Sequence, residues 1–144
     1  MSTASTPIQL AIQFFEHLSS ADIDRMDHIY SADAYFKDPF NEVKGVGAIT
    51  AIFEHMFIKV DKPTFVVTAS ITQGNEAFLV WDFHLRFKGE TVARKIHGSS
   101  HLRFDASGKI AYHRDYWDAA EELYEKLPIV GSVMRFLKRQ ANKA

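Results

Sequence analysis

The sequence predicts an α+β fold, with helices first and a curved antiparallel sheet after them. Three observations carry that prediction. Apolar residues recur at helical spacing between Ile8 and Met56. From Thr64 onward, runs rich in Val, Ile, Thr and aromatics are cut by turn residues at Gly74-Asn75, Gly89-Glu90 and Ala106-Ser107-Gly108. Within those runs apolar and polar side chains alternate, as on a half-buried strand. Helices segregated from strands along the chain indicate α+β rather than α/β.

The first helix opens at Thr6-Pro7-Ile8-Gln9, with Thr6 as N-cap, Pro7 at the first helical position and Gln9 completing a capping box. Ile8, Ala11, Ile12, Phe15 and Leu18 form its apolar stripe, with Phe14 at the edge, and it is expected to end near Ser19 or Ser20. Asp22 caps a short second helix that turns Met26 and Ile29 inward. Ala34 to Phe40 is extended and ends in Asp38-Pro39, because proline pushes its predecessor away from helix. Gly45 and Gly47 break the chain before a third helix that runs to about Lys59, with Ile49, Ile52, Phe53 and Met56 on one side.

Pro63 closes the helical region, and strands are predicted over 64–73, 78–88, 92–104 and 109–118. In the second, Leu79, Trp81, Phe83 and Leu85 alternate with Val80, Asp82, His84 and Arg86. In the third, Ile96, Gly98, Ser100, Leu102 and Phe104 alternate with Lys95, His97, Ser99, His101 and Arg103. The first set of each faces the helices, since a slip of one residue would bury the charges. Gly98 and Ser100, small in an aromatic wall, favour a cavity; the plainer reading is that they accommodate a neighbouring Phe. The last strand differs: Ala111, His113, Asp115 and Trp117 share one face, and Ile110, Tyr112, Arg114 and Tyr116 the other. Either way it turns, titratable groups meet an apolar wall, which marks a candidate functional pocket.

Composition narrows the function. At 144 residues the chain is about one domain, 1–144, with 119–144 as a C-terminal helical extension. A formal net charge of −1 gives no reason to expect nucleic acid as a partner. The absence of Cys excludes disulfides and thiolate chemistry. No apolar run approaches the roughly 20 residues a membrane span needs, and the first residues lack the pattern of a secretory signal; a cytoplasmic location is expected. No nucleotide motif is present and no cofactor is expected. His84, His97 and His101 lie on the outer face among Lys95 and Arg103, so no metal is expected either.

Several motifs together resemble a known family. Ser31-Ala32-Asp33-Ala34 precedes Phe36-Lys37-Asp38-Pro39, and Gly47-Ala48-Ile49 lies at the start of the third helix. Ser100-His101-Leu102-Arg103-Phe104, Gly108-Lys109-Ile110 and Tyr116-Trp117-Asp118 follow. The chain resembles SnoaL-like, ketosteroid isomerase-like proteins of the nuclear transport factor 2-like (NTF2-like) superfamily. The resemblance implies a curved sheet wrapped on helices as a cone, with an apolar pocket at the wide end, and it turns His113, Asp115 and Trp117 into that pocket. It also implies Asp38, His113 and Asp115 as catalytic residues, and Phe14, Phe36, Phe40, Trp81, Phe83, Ile96, Gly98, Ser100 and Trp117 as substrate-binding residues. In ketosteroid isomerase an Asp base works with a Tyr and a protonated Asp that hold the oxyanion. Asp38 matches the base, but Phe14 and Ser100 stand where the two donors would be, so that mechanism is rejected.

The implied function is a cofactor-independent isomerase, cyclase, dehydratase or hydrolase using Asp/His acid–base chemistry on an apolar ring, polyketide-like or steroid-like substrate. In it Asp115 or Asp38 removes a proton, His113 returns or orients one, and Ser100 donates to a substrate oxygen. A non-catalytic carrier or sensor of an apolar ligand and a protein-interaction module are the alternatives. Plainer readings stand beside these: Asp38-Pro39 is also a turn signal, His113 also a satisfied core histidine, and both Trp also packing residues. Val80, Tyr112 and Tyr116 on the outer face predict a homodimer through the convex sheet. Beyond Asp118, a helix over 119–127 presents Leu123, Tyr124 and Leu127, and Pro128 stops it. A second helix places Val130, Val133, Met134 and Leu137 opposite Arg135, Lys138 and Arg139. Packing on the domain is expected of it first, a lid over the pocket mouth second, and a weak interfacial membrane contact of its basic amphipathic face last.

Overall fold

The computed structural model describes residues 5–122 and 130–142. Helix α1 spans Pro7–Glu16. The Gln9 N–H donates to the Thr6 hydroxyl at 3.3 Å, and the Thr6 N–H donates to the Gln9 side chain at 2.9 Å. Ala11 and Phe15 are its buried residues. A 3-10 segment, Ser20–His28, follows. Ser19, not Asp22, caps it: the Asp22 carboxylate reaches back to accept the Ser19 N–H at 2.8 Å. That backbone N–H is the main reason the Asp22 carboxyl is held below its usual range.

Strand β1, Tyr30–Lys37, begins four residues before the expected start at Ala34 and ends at Lys37, ahead of the Asp38-Pro39 turn. It turns back into β2, Glu42–Lys44, a three-residue strand too short to leave a sequence pattern. Gly45 caps helix α2, Val46–Lys59, at φ 102°, a left-handed conformation that glycine adopts without strain. Strands β3 (Val60–Gln73), β4 (Glu76–Phe87), β5 (Arg94–Phe104) and β6 (Ile110–Tyr116) complete the sheet. Pro63 therefore does not precede β3. It sits in a register shift between Asp61 and Thr64, beside Lys62 at φ 47°, where the ladder is already interrupted.

The sheet order is β2-β1-β6-β5-β4-β3. All neighbours pair antiparallel except β1 and β6, which run parallel. The four strands read from the sequence pair antiparallel as expected, and β1, which the sequence marked only as extended, adds one parallel pairing that makes the whole sheet mixed. The alternation did place the inner face. Leu79, Trp81, Leu85, Ile96, Ser100, Leu102 and Phe104 are buried, and Lys95, His97 and Arg103 are exposed. A further register shift, where β5 and β6 leave step between Arg103 and Phe104, turns Ile110 inward along with His113. Bulges of this kind bend strands, and the core lies between the curved sheet and α1, α2 and the 3-10 segment.

Helix α3, Ala119–Glu122, starts where the sequence suggested, with the Glu121 N–H donating to Asp118 at 3.1 Å. Leu123, Tyr124, Leu127 and Pro128 lie outside the described residues. Helix α4 is Val130–Asn142, and Val133, Phe136 and Leu137 on it are about half exposed. No described helix is long and apolar enough to cross a membrane.

Candidate functional site

The concave side of the sheet encloses a cavity of about 130 Å³. Phe36, Trp81, Phe83, Ile96, Ser100, His113, Asp115, Trp117 and Asp38 line it, as do Phe15, Phe53 and Phe65. It meets a shallower outer hollow of about 510 Å³, formed where β1 and β6 end side by side. Asp38, Asp115 and Trp117 belong to both spaces, and Lys37 and Arg114 line the outer one alone.

One connected hydrogen-bond chain crosses the cavity wall. The Tyr30 hydroxyl lies 2.7 Å from His113 Nδ1, and His113 Nε2 lies 2.6 Å from Asp115 Oδ1. Ser100 Oγ–H donates to the same Oδ1 at 2.5 Å, and Trp81 Nε1–H donates to Ser100 Oγ at 2.9 Å. Tyr30 is fully buried, and His113 and Asp115 expose only 4% and 17% of their side chains. Burial, with the Asp115 charge nearby, pushes the Tyr30 hydroxyl well above the ordinary phenol range, so it keeps its proton. With no other partner among the described residues, that proton must go to His113 Nδ1. Nε2 then carries the ring's hydrogen and donates to Asp115. Asp115 Oδ2 accepts nothing from the described residues.

The local fold explains the convergence. Ser100 and Asp115 are direct cross-strand partners, as are Trp81 and Gly98. A Cβ on Gly98 would lie 2.6 Å from the Trp81 ring. The cavity expectation for Gly98 is therefore corrected: the indole of Trp81, not a Phe, occupies the space, and Gly98 does not line the cavity. Tyr30 stacks on His113 at 5.9 Å with 9° between the rings, while Phe15 and Phe36 meet the imidazole edge-on.

Asp38 lines the cavity, yet its carboxylate is engaged in its own turn. Oδ1 accepts the Phe40 and Asn41 backbone N–H groups at 2.8 and 2.7 Å, and the Asn41 side chain reaches both oxygens at 3.1 Å. Ser100, expected to donate to substrate, gives its hydrogen to Asp115 instead. Phe40 is exposed and packs on Trp117 at 5.6 Å, outside the cavity lining. Phe14 packs on Phe15 at 5.4 Å; Phe15, not Phe14, lines the cavity. The apolar stripe of α1 had included Phe15 and left Phe14 at its edge. Tyr30 was not singled out: its partner is 83 residues away, and no local pattern marks it.

On the outer face, Tyr35 stacks on Tyr112 at 5.2 Å, His101 meets Tyr112 at 5.2 Å, and Phe78 stacks on His101 at 5.0 Å. His97 pairs with Asp82, and His101 with Glu76, each at 2.8 Å. No group of three or more metal-ligating side chains occurs among the described residues.

A family model for a SnoaL-like domain matches residues 11–113. No curated protein matches the chain. Among solved structures, an NTF2-like protein of unknown function from Burkholderia pseudomallei is 14% identical, over 82% of this chain and 95% of that one, with a TM-score of 0.71. A candidate SnoaL-like polyketide cyclase from Shewanella denitrificans is 21% identical over 81% and 96%, with a TM-score of 0.69. An LEH-like epoxide hydrolase from M. tuberculosis is 14% identical over 81% and 83%, with a TM-score of 0.65. At these identities the likeness shows the fold.

Proposed function

The chain belongs to the SnoaL-like domain family, and on that footing we propose that it binds a small, largely apolar molecule in the concave cavity and acts on it by acid–base chemistry at Asp115. The observation that carries this reading is the Tyr30–His113–Asp115–Ser100 chain on the wall of an otherwise apolar cavity. His113 and Ser100 both donate to Oδ1, which orients the carboxylate and leaves Oδ2 as the proton acceptor. His113 is the positioning residue and Tyr30 sets its tautomer. Asp38 shapes the mouth through its turn and is secondary. The enclosed volume suits one ring, since a cavity of about 150 Å³ holds benzene; a larger substrate would extend into the outer hollow. The neighbours named as a cyclase and an epoxide hydrolase make cyclisation and hydrolysis reactions to assay, and isomerisation joins them from the motif resemblance.

The test is a panel of small epoxides, cyclisable polyketones and enones, assayed with wild type, Asp115→Asn and Asp38→Asn. Turnover should fall about 10²–10⁴-fold in Asp115→Asn, the usual worth of a general base, and much less in Asp38→Asn. Full activity in Asp115→Asn would defeat the catalytic reading. A carrier without chemistry is the second reading. It is favoured by the commitment of the Ser100, Trp81 and His113 donors within the wall, which leaves little to hold an oxyanion. We also propose a homodimer through the outer face, supported by its aromatic row and by the exposure of Phe78 and Tyr116. Light scattering at micromolar concentration should give the dimer mass; a monomer would refute it.

A further inference from the structure

The polar inventory of the cavity is lopsided. Two carboxylates, Asp38 and Asp115, line it, and neither Lys nor Arg does. The Ser100 hydroxyl, the Trp81 indole N–H and His113 Nε2–H are each spent on a neighbour in the wall. The Trp117 indole, at the mouth, is the one lining side-chain donor without a partner among the described residues. Facing the carboxylates are the rings of Phe15, Phe36, Phe65, Trp81, Phe83 and Trp117. Aromatic faces carry negative charge density and attract cations, most strongly where water is excluded. Lys37 and Arg114 line only the outer hollow, where Lys37 faces Glu42 at 3.5 Å and the Arg114 guanidinium lies 4.8 Å over the Tyr116 ring. A ligand carbonyl would find almost no donor inside, and an anion would meet two carboxylates.

We propose that the ligand of this cavity is a compact organic cation, a protonated amine on a one-ring apolar body, with its N–H directed at Asp115 Oδ2 and its ring among the aromatic side chains. The inference rests on the reading that the cavity is a ligand site, and it names the chemical class that site selects. A charge-assisted bond to a carboxylate is about twice as strong as a neutral one, and Asp115 Oδ2 is without a donor among the described residues while Oδ1 already holds two. The ammonium supplies what the wall does not.

The test is a frame-matched series on the intact chain near neutral pH: benzylamine, benzyl alcohol, benzaldehyde and benzoate, titrated by calorimetry and by NMR shifts of the cavity residues. Benzylamine should bind at least about tenfold tighter than benzyl alcohol, a gap of about 1.4 kcal/mol, with benzaldehyde and benzoate weakest. Asp115→Asn should bring the amine and the alcohol to within about threefold of each other. Equal or tighter binding of the alcohol, aldehyde or benzoate by wild type overturns the inference, while leaving the cavity as a ligand site. Failure of all four to bind overturns the inference, while the ligand-site reading stands or falls separately with the turnover panel. The wild-type series decides the question even if Asp115→Asn does not fold.

Discussion

The two faces of the sheet carry the same chemical pair in different settings. On the outer face His97 meets Asp82, with 61% and 24% of the side chains exposed. On the inner face His113 meets Asp115, with 4% and 17% exposed. Outside, water competes for both partners, the second imidazole nitrogen has no protein partner among the described residues, and exposed pairs contribute little. Inside, Tyr30 holds that second nitrogen, Ser100 shares the carboxylate, and Trp81 holds Ser100. Composition does not separate the two pairs. What separates them is exclusion of water and a fixed partner for every polar atom but one.

Substitutions along the inner chain should be costly and those on the outer pair nearly silent. Trp81→Ala removes a buried indole and the donor to Ser100, and should cost about 3–5 kcal/mol in a urea unfolding experiment. Tyr30→Phe keeps the ring stack but leaves His113 Nδ1 without a donor, and should cost about 1–3 kcal/mol. Tyr30 also has a pH signature. Its folded pKa lies above the unfolded value of about 10. Its contribution is therefore fully present below pH about 10 and lost as pH rises through the folded value. The urea midpoint should fall on the alkaline side in wild type and fall less in Tyr30→Phe. Asp82→Asn should leave the urea midpoint nearly unchanged, because water screens the exposed pair. A shift there as large as that of Tyr30→Phe would erase the distinction between the faces.

The inner face of β4 and β5 was legible in the sequence, because Leu79, Trp81 and Leu85 alternate with charged neighbours. The capping box at Thr6 was legible because it is complete within four residues. Features that depend on distant partners were not. The parallel pairing of β1 with β6 joins segments about eighty residues apart, and β2 is too short to show alternation. Asp38-Pro39 reads equally as a turn and as a base, and only the four hydrogen bonds onto its carboxylate show how far the turn occupies it. Gly98 is similar: a small residue in an aromatic wall signals space, but its partner Trp81 decides what fills that space. Phe15 was within reach, since helical spacing favoured it over Phe14.

The central claim is that Tyr30 fixes His113 with its hydrogen on Nε2, aimed at Asp115. Long-range proton–nitrogen NMR of the histidine rings near neutral pH reads this directly. The account predicts a single Nε2–H tautomer for His113, with Nδ1 showing the signature of an acceptor, and loss of that signature in Tyr30→Phe. An Nδ1–H tautomer, or an averaged pattern in wild type, would contradict it.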